Sequence, residues 1–193
     1  KKIILFVGNL LPLKRLDLLI KALKLLNDKD ASLLVVGDGY YLKKYEQMAK
    51  DLDVNNQTHF VGRCDDKKKL VGYYNLAVCL AMPSDYESFS LVVAEALACG
   101  LPVVASDIDA VISRITNGRE GLLFKKGSAE SLAVALKNIL ALSEEEKTVL
   151  NEIERFEGQE KAKAYRELVD EKWIDVILVT TTEGDSDKAK RIK

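Results

Sequence analysis

The chain alternates short apolar runs with longer segments of helical period. Residues 3–8 read as a buried strand, after which Leu16, Leu19, Ile20, Leu23 and Leu26 fall on one face of a helix. Residues 32–37 predict a second strand, followed by a helix over about 41–52 with Leu42, Tyr45, Ala49 and Leu52 inward. Residues 58–62 predict a third strand, 68–74 a short helix and 76–82 a fourth strand. A fifth strand at 102–106, a short helix at 111–116 and a sixth strand at 121–124 follow. Ser128 then caps a helix with Leu132, Ala135, Leu136, Ile139 and Leu140 inward. Strands apolar on both faces, alternating with helices, imply an α/β fold: a Rossmann-like, doubly wound parallel sheet of about six strands. In such sheets ligands bind beyond the carboxyl ends of the strands, where the strand order reverses. The Gly- and Ser-rich turns considered as binding elements each follow a strand, which puts them on that edge.

The pattern changes after Leu142, so residues 1–142 are expected to form the Rossmann-like domain and 143–193 a helical extension. Ser143-x-x-Glu146 is a capping box opening a charged helical region up to about residue 170. Residues 173–182 (W-I-D-V-I-L-V-T-T-T) then read as one more strand. An exposed strand edge invites pairing, so this segment is expected to join a sheet edge or a second copy of the chain, giving a dimer.

Composition narrows the function classes. Of 193 residues 48% are hydrophobic, enough to bury a sizeable core, and Lys+Arg 29 against Asp+Glu 30 argues against a nucleic-acid partner. Lys67, Lys68 and Lys69 are flanked by acids and read as solvated surface. Cys64, Cys79 and Cys99 lack C-x-x-C spacing, which points away from a disulfide framework or a zinc site and toward a reducing, cytoplasmic compartment. No apolar run approaches the roughly 18 residues of a membrane span. The chain begins Lys1-Lys2-Ile3 without a signal-peptide pattern or an initiator Met, as expected of a fragment or a processed chain.

The chemistry concentrates in D-Y-E-S-F-S-L-V-V-A-E-A-L-A-C-G, residues 85–100, where Glu87 and Glu95 stand eight positions apart. Leu91, Val92, Val93, Ala94, Ala96, Leu97 and Ala98 surround Glu95, and a helix apolar on every side is expected to be buried. A carboxylate in such a helix is costly unless something specific receives it, be that a ligand or a neighbouring Lys or Arg. Ser90 stands where an N-cap would. An open helix N-terminus with carboxylates at two depths suits a ligand carrying an anionic part and a diol, as a nucleotide sugar does. His59, the one histidine, is expected to pack in its strand or sit at an edge; Asp38 to serve the G-D-G turn; and Tyr40, Tyr41, Tyr73 and Tyr74 to pack helices.

Further segments share an order with that one: F-V-G-N-L-L-P-L-K at 6–14, L-V-V-G-D-G at 34–39, H-F-V-G-R at 59–63, then A-C-G-L-P-V-V-A-S-D at 98–107 and N-G-R-E-G-L-L-F at 117–124. In these residues the chain resembles the C-terminal, donor-binding domain of the family-4 retaining glycosyltransferases, which have a GT-B fold of two facing Rossmann-like domains and a Glu-x7-Glu segment. The resemblance implies that Glu95 binds the donor ribose and that Glu87 contacts the donor sugar near the reacting carbon. It implies that backbone around Phe89, Ser90 and Leu91 holds phosphates and sugar, and that Lys14 neutralises the diphosphate. Asn9 stands beside Lys14 in that donor site where members usually carry Arg, and Arg63 or Arg15 are the cations able to replace it. Gly is usual in place of Ser88 and Ser90, Gly-Gly in place of Asp109-Ala110, and Pro-Glu in place of Ile112-Ser113. Arg63 is also expected to border the base pocket.

The resemblance implies a hexosyltransferase half that takes a nucleoside diphosphate sugar as substrate, with no metal or other cofactor, for a glycan or glycolipid acceptor. The acceptor-binding N-terminal domain is absent from this chain, so the chain alone is expected to bind donor weakly and not to turn over. A cytoplasmic location, with peripheral contact at the inner face of a membrane, fits that role. Two alternatives stay open: a nucleotide-sugar epimerase of the same fold, and a catalytically idle nucleotide-binding module. A dinucleotide-binding Rossmann domain is disfavoured because no G-x-G-x-x-G follows the first strand.

Overall fold

Strand β1 (Lys2–Val7) sends alternate side chains to opposite faces of a sheet: Ile4 and Phe6 enter one core and Leu5 the other. The same division repeats in β2 (Ala31–Val36), β4 (Cys79–Met82) and β5 (Val103–Ser106), whose residues are almost all buried. A computed structural model describes residues 1–88, 90–113, 115 and 121–142. With β3 (Thr58–Gly62) and β6 (Gly121–Phe124) the strands form one parallel sheet in the order β3-β2-β1-β4-β5-β6. Parallel strands need crossovers, and the helices supply them on both faces.

On one face lie α1 (Leu16–Leu26), α2 (Leu42–Asp51) and α6 (Ala129–Ala141), which share a core with Ile4, Phe6, Leu33 and Val35. On the other lie α3 (Lys67–Leu76), α4 (Leu91–Ala98) and the short α5 (Asp109–Ile112), packed with Leu5, Leu80, Val103 and Ala105. The chain reverses its winding between β1 and β4, adjacent in the sheet but separated in sequence by β2 and β3. That adjacency opens a crevice at the carboxyl ends of these two strands.

Among the described residues two helices carry side-chain caps, of which that by Ser128 is the expected one. Asp66 accepts from the amides of Lys68 and Lys69 at the start of α3, and Ser128 from that of Ser131 at the start of α6. Several expectations are corrected. β4 begins at Cys79 rather than 76, because Leu76 ends α3 and is 63% exposed. β3 is an edge strand, with His59 and Val61 facing outward, so it is not apolar on both faces. Tyr40 does not pack a helix; it is exposed, its ring edge-on to Tyr41. Helix α4 is buried on one face only, through Val93, Ala94 and Ala96, while Leu91 is 47% exposed. Its apolar composition serves a sheet on one side and an open crevice on the other. The short helix expected over 111–116 is instead α5, which begins at Asp109 and ends at Ile112 with Ser113 as its C-cap. The extension at 143–193, its strand at 173–182, and Phe89 lie outside the described residues.

Candidate functional site

The floor of the crevice is three strand ends held together by backbone. The Gly8 amide donates to the Val36 carbonyl, and the Gly37 amide to the Gly62 carbonyl. Gly37 sits at φ 147°, and a Cβ there would run into the Gly8 carbonyl oxygen. The close approach of the β1 and β2 ends therefore requires glycine. Asp38 serves the turn as expected: its side chain accepts from the Gly39 amide at 2.7 Å and its carbonyl from the Leu10 amide at 3.0 Å. A Cβ on Gly39 would stand 3.0 Å from backbone atoms of Leu10, so this turn too is built by closeness.

The walls come from the loops after β1 and β4, which are stitched across the crevice. The Asp85 amide donates to the Leu13 carbonyl at 2.8 Å, and Arg15 Nη1 reaches both Asp85 carboxylate oxygens at 3.0–3.1 Å. Lys14, at the end of a 3-10 turn spanning Pro12–Lys14, places its Nζ 2.8 Å from both carboxylate oxygens of Glu87. Ser84 Oγ donates to Glu87 Oε1 at 2.7 Å. The Glu87 side chain is only 9% exposed and that of Lys14 25%, so this is a largely desolvated, charge-assisted cluster. Glu87 and Lys14 are thus brought together across 73 residues of sequence.

A cleft of about 680 Å3 lies over these groups, a size that accommodates a small-molecule ligand. Gly8, Asn9 and Lys14 line it from the β1 side, Gly37 and Arg63 from β2 and β3, and Glu87, Ser88, Ser90, Leu91 and Val92 from the β4–α4 side. Six of the expected site residues therefore share one cleft: Asn9, Lys14, Arg63, Glu87, Ser90 and Leu91. Arg63 is well exposed and bonded to Asp65 at 2.6 Å, a partner that stabilises its charged form. Arg15 does not line the cleft. It is clamped between Asp17 and Asp85, which raise its pKa further, so of the two cations able to replace an Arg at position 9 only Arg63 faces the cleft.

Ser90 stands at the N-cap position of α4, but its side chain caps nothing. Its φ of 56° is left-handed, a conformation that favours glycine, and its buried hydroxyl turns inward to Met82 Sδ at 2.8 Å. The α4 N-terminus consequently has no side-chain cap, and Leu91 and Val92 present it to the cleft.

Glu95 lies one turn beyond Leu91 on the same side of α4 and is not among the cleft-lining residues. It receives the Tyr74 hydroxyl at 2.6 Å on Oε2. Burial, then the neighbouring Glu95 charge, push the Tyr74 pKa well above the ordinary tyrosine value, so its hydroxyl stays a donor. Two partners thus escape a reading of the motif alone, Ser84 for Glu87 and Tyr74 for Glu95. Their only signals are a serine at a strand end and a tyrosine at an inward position of α3. Among the described residues no group of three or more His, Cys, Asp or Glu is arranged to hold a metal ion, and no helix is long and apolar enough to cross a membrane.

Comparison with known proteins shows the family. Residues 1–155 match the family described as "Glycosyl transferases group 1". The chain is 32% identical over 147 residues to the N-acetyl-alpha-D-glucosaminyl L-malate synthase of Bacillus anthracis, covering 76% of this chain and 37% of that protein. It is 34% identical over 148 residues to a D-inositol 3-phosphate glycosyltransferase of Kribbella flavida, covering 71% and 35% respectively. It therefore spans less than two fifths of either relative. Among solved structures, Anabaena HepE in complex with UDP superposes with a TM-score of 0.70 at 25% identity, over 77% of this chain and 42% of that one. A matched family over most of the chain and a shared parallel α/β architecture lead to one conclusion: the chain belongs to the group 1 glycosyl transferases.

Proposed function

We propose that this chain is the C-terminal, nucleotide-sugar-binding half of a family-4 retaining glycosyltransferase, with Glu87 and Glu95 as its Glu-x7-Glu pair. The observation that carries the reading is the cluster of Lys14, Glu87 and Ser84 at the reversal of strand order, beside the uncapped N-terminus of α4. A nucleoside diphosphate supplies an anion for Lys14 and for that helix terminus, and its ribose supplies the diol for Glu95. When the bond between the hexose and the diphosphate breaks, the departing diphosphate gains charge. The Lys14 ammonium, shared with Glu87, and the oriented amides of the helix start stabilise that charge. In this reading the diphosphate charge is met without a metal. Arg63 is the further cation within reach of the donor, standing in for the arginine missing at Asn9.

Relatives guide the choice of donor. HepE was solved with UDP, and a relative from Mycolicibacterium smegmatis, 30% identical over 150 residues, is named as GDP-mannose-dependent. The acceptor wall belongs to the half of the enzyme that this chain does not contain. Alone, the chain binds donor weakly and does not turn over, and a transferase rate measured without an added partner would contradict this. Calorimetric titration with UDP, GDP and ADP tests the binding claim. One of them is expected to bind wild type and to lose about tenfold or more in affinity in Glu95→Ala, the effect of removing a charged hydrogen-bond acceptor. An unchanged Glu95→Ala affinity would remove Glu95 from the site.

A further inference from the structure

Tyr74 lies on α3, not on the Glu-x7-Glu segment, and is 1% exposed. A buried tyrosine hydroxyl needs an acceptor, and many would serve. Here the acceptor is Glu95 Oε2 at 2.6 Å, a short contact of the kind made between a hydroxyl and an ionised carboxylate. The two elements that meet are packed in the same core: Val71 and Tyr74 of α3 lie with Val93 and Ala96 of α4 against Leu5 and Leu80. The tyrosine ring therefore cannot turn away, and its hydroxyl holds one oxygen of the carboxylate in a fixed place. Glu95 is half-buried on the side of α4 that carries Leu91 to the cleft.

We propose that Tyr74 is a positioning residue for donor recognition: its hydroxyl fixes the plane of the Glu95 carboxylate so that it can read a ribose diol. The inference rests on the proposed contact between Glu95 and ribose. A cis-diol presents two donors in a fixed geometry, and a carboxylate that rotates about its own axis loses affinity by the entropy of being ordered on binding. Ordering it beforehand through α3 makes the ribose hydroxyls, rather than the diphosphate, the part of the ligand that senses Tyr74. The raised pKa of Tyr74 keeps the hydroxyl protonated across the physiological range, so the contact does not depend on pH there.

The test separates ribose reading from simple stability. Wild type, Tyr74→Phe, Glu95→Gln and the double variant are titrated with UDP and with 2′,3′-dideoxy-UDP, and with the guanosine pair if GDP is the nucleotide that binds. Tyr74→Phe is expected to weaken UDP about tenfold, the size of one hydrogen bond to a charged group, while leaving the dideoxy nucleotide unchanged. The double variant is expected to bind UDP no more weakly than Glu95→Gln alone, because the two groups act as one. In wild type labelled at tyrosine Cζ, the Tyr74 carbon signal should move with UDP and stay put with dideoxy-UDP, a measurement independent of how any variant folds. Equal loss of both ligands in Tyr74→Phe, or a Tyr74 signal indifferent to the ribose hydroxyls, would overturn the inference while leaving donor binding intact. Wild type that binds none of UDP, GDP and ADP would overturn the donor reading itself.

Discussion

Lys14 Nζ is 2.8 Å from both oxygens of Glu87, so a diphosphate arriving at the cleft competes with a carboxylate for the same ammonium. Opposite effects follow for the two partners. Lys14→Met should lower UDP affinity by about tenfold or more, the size of a lost charged hydrogen bond. Glu87→Gln should raise UDP affinity, because it removes both the competing charge and the repulsion of the phosphates. Titration calorimetry of the two variants reads both signs, and a Glu87→Gln variant that binds UDP more weakly would mean that Glu87 itself holds the nucleotide. The motif singles out both residues in the sequence, and both line the cleft. Their pairing is not legible, because it joins positions 73 residues apart and exists only once β1 and β4 are neighbours. Arg15 shows the same limit. It looks available beside Lys14, yet Asp85, 70 residues away, takes its guanidinium.

At the scale of elements, periodicity locates helices and strands well but says less about what surrounds them. Helix α4 has apolar residues on all sides, and nothing in its own sequence distinguishes a fully buried helix from one that lines a cleft. Caps are local but only partly legible: Ser128 caps α6 as expected, whereas Ser90 caps nothing. Asp66, which the pattern does not single out, accepts from two amides at the start of α3, so Asp66→Ala should cost about 1 kcal/mol, measured by urea denaturation. Close approach between elements is the opposite case. Gly37 reads as an ordinary turn glycine, but its φ of 147° and the Gly8 carbonyl beside it leave no room for a Cβ. Gly37→Ala should therefore cost at least about 2 kcal/mol, the usual scale of forced overpacking, and should distort the cleft floor with it. A variant as stable as wild type would show that the β1 and β2 ends can separate without penalty.

For the whole molecule, alternating strands and helices predict the parallel sheet and its two cores, because a parallel sheet must be covered on both faces. The strand order, and with it the position of the cleft, comes from packing between elements distant in sequence. Helix α6 returns to the face of α1, and its inward stripe of Leu132, Leu136, Ile139 and Leu140 is fully or nearly fully buried there. Leu136→Ala should cost about 2–5 kcal/mol in chemical denaturation, as for other fully buried leucines, showing that α6 is integral to the domain. The central claim is that a nucleoside diphosphate occupies the carboxyl edge of this sheet between β1 and β4. Amide chemical shifts of the isotope-labelled chain, followed during titration with UDP and GDP, test it most directly. The account predicts that the shifts concentrate at Gly8, Gly37, Gly39, Leu91 and Val92. Shifts confined to the opposite edge of the sheet, or none with either nucleotide at millimolar concentration, would contradict it.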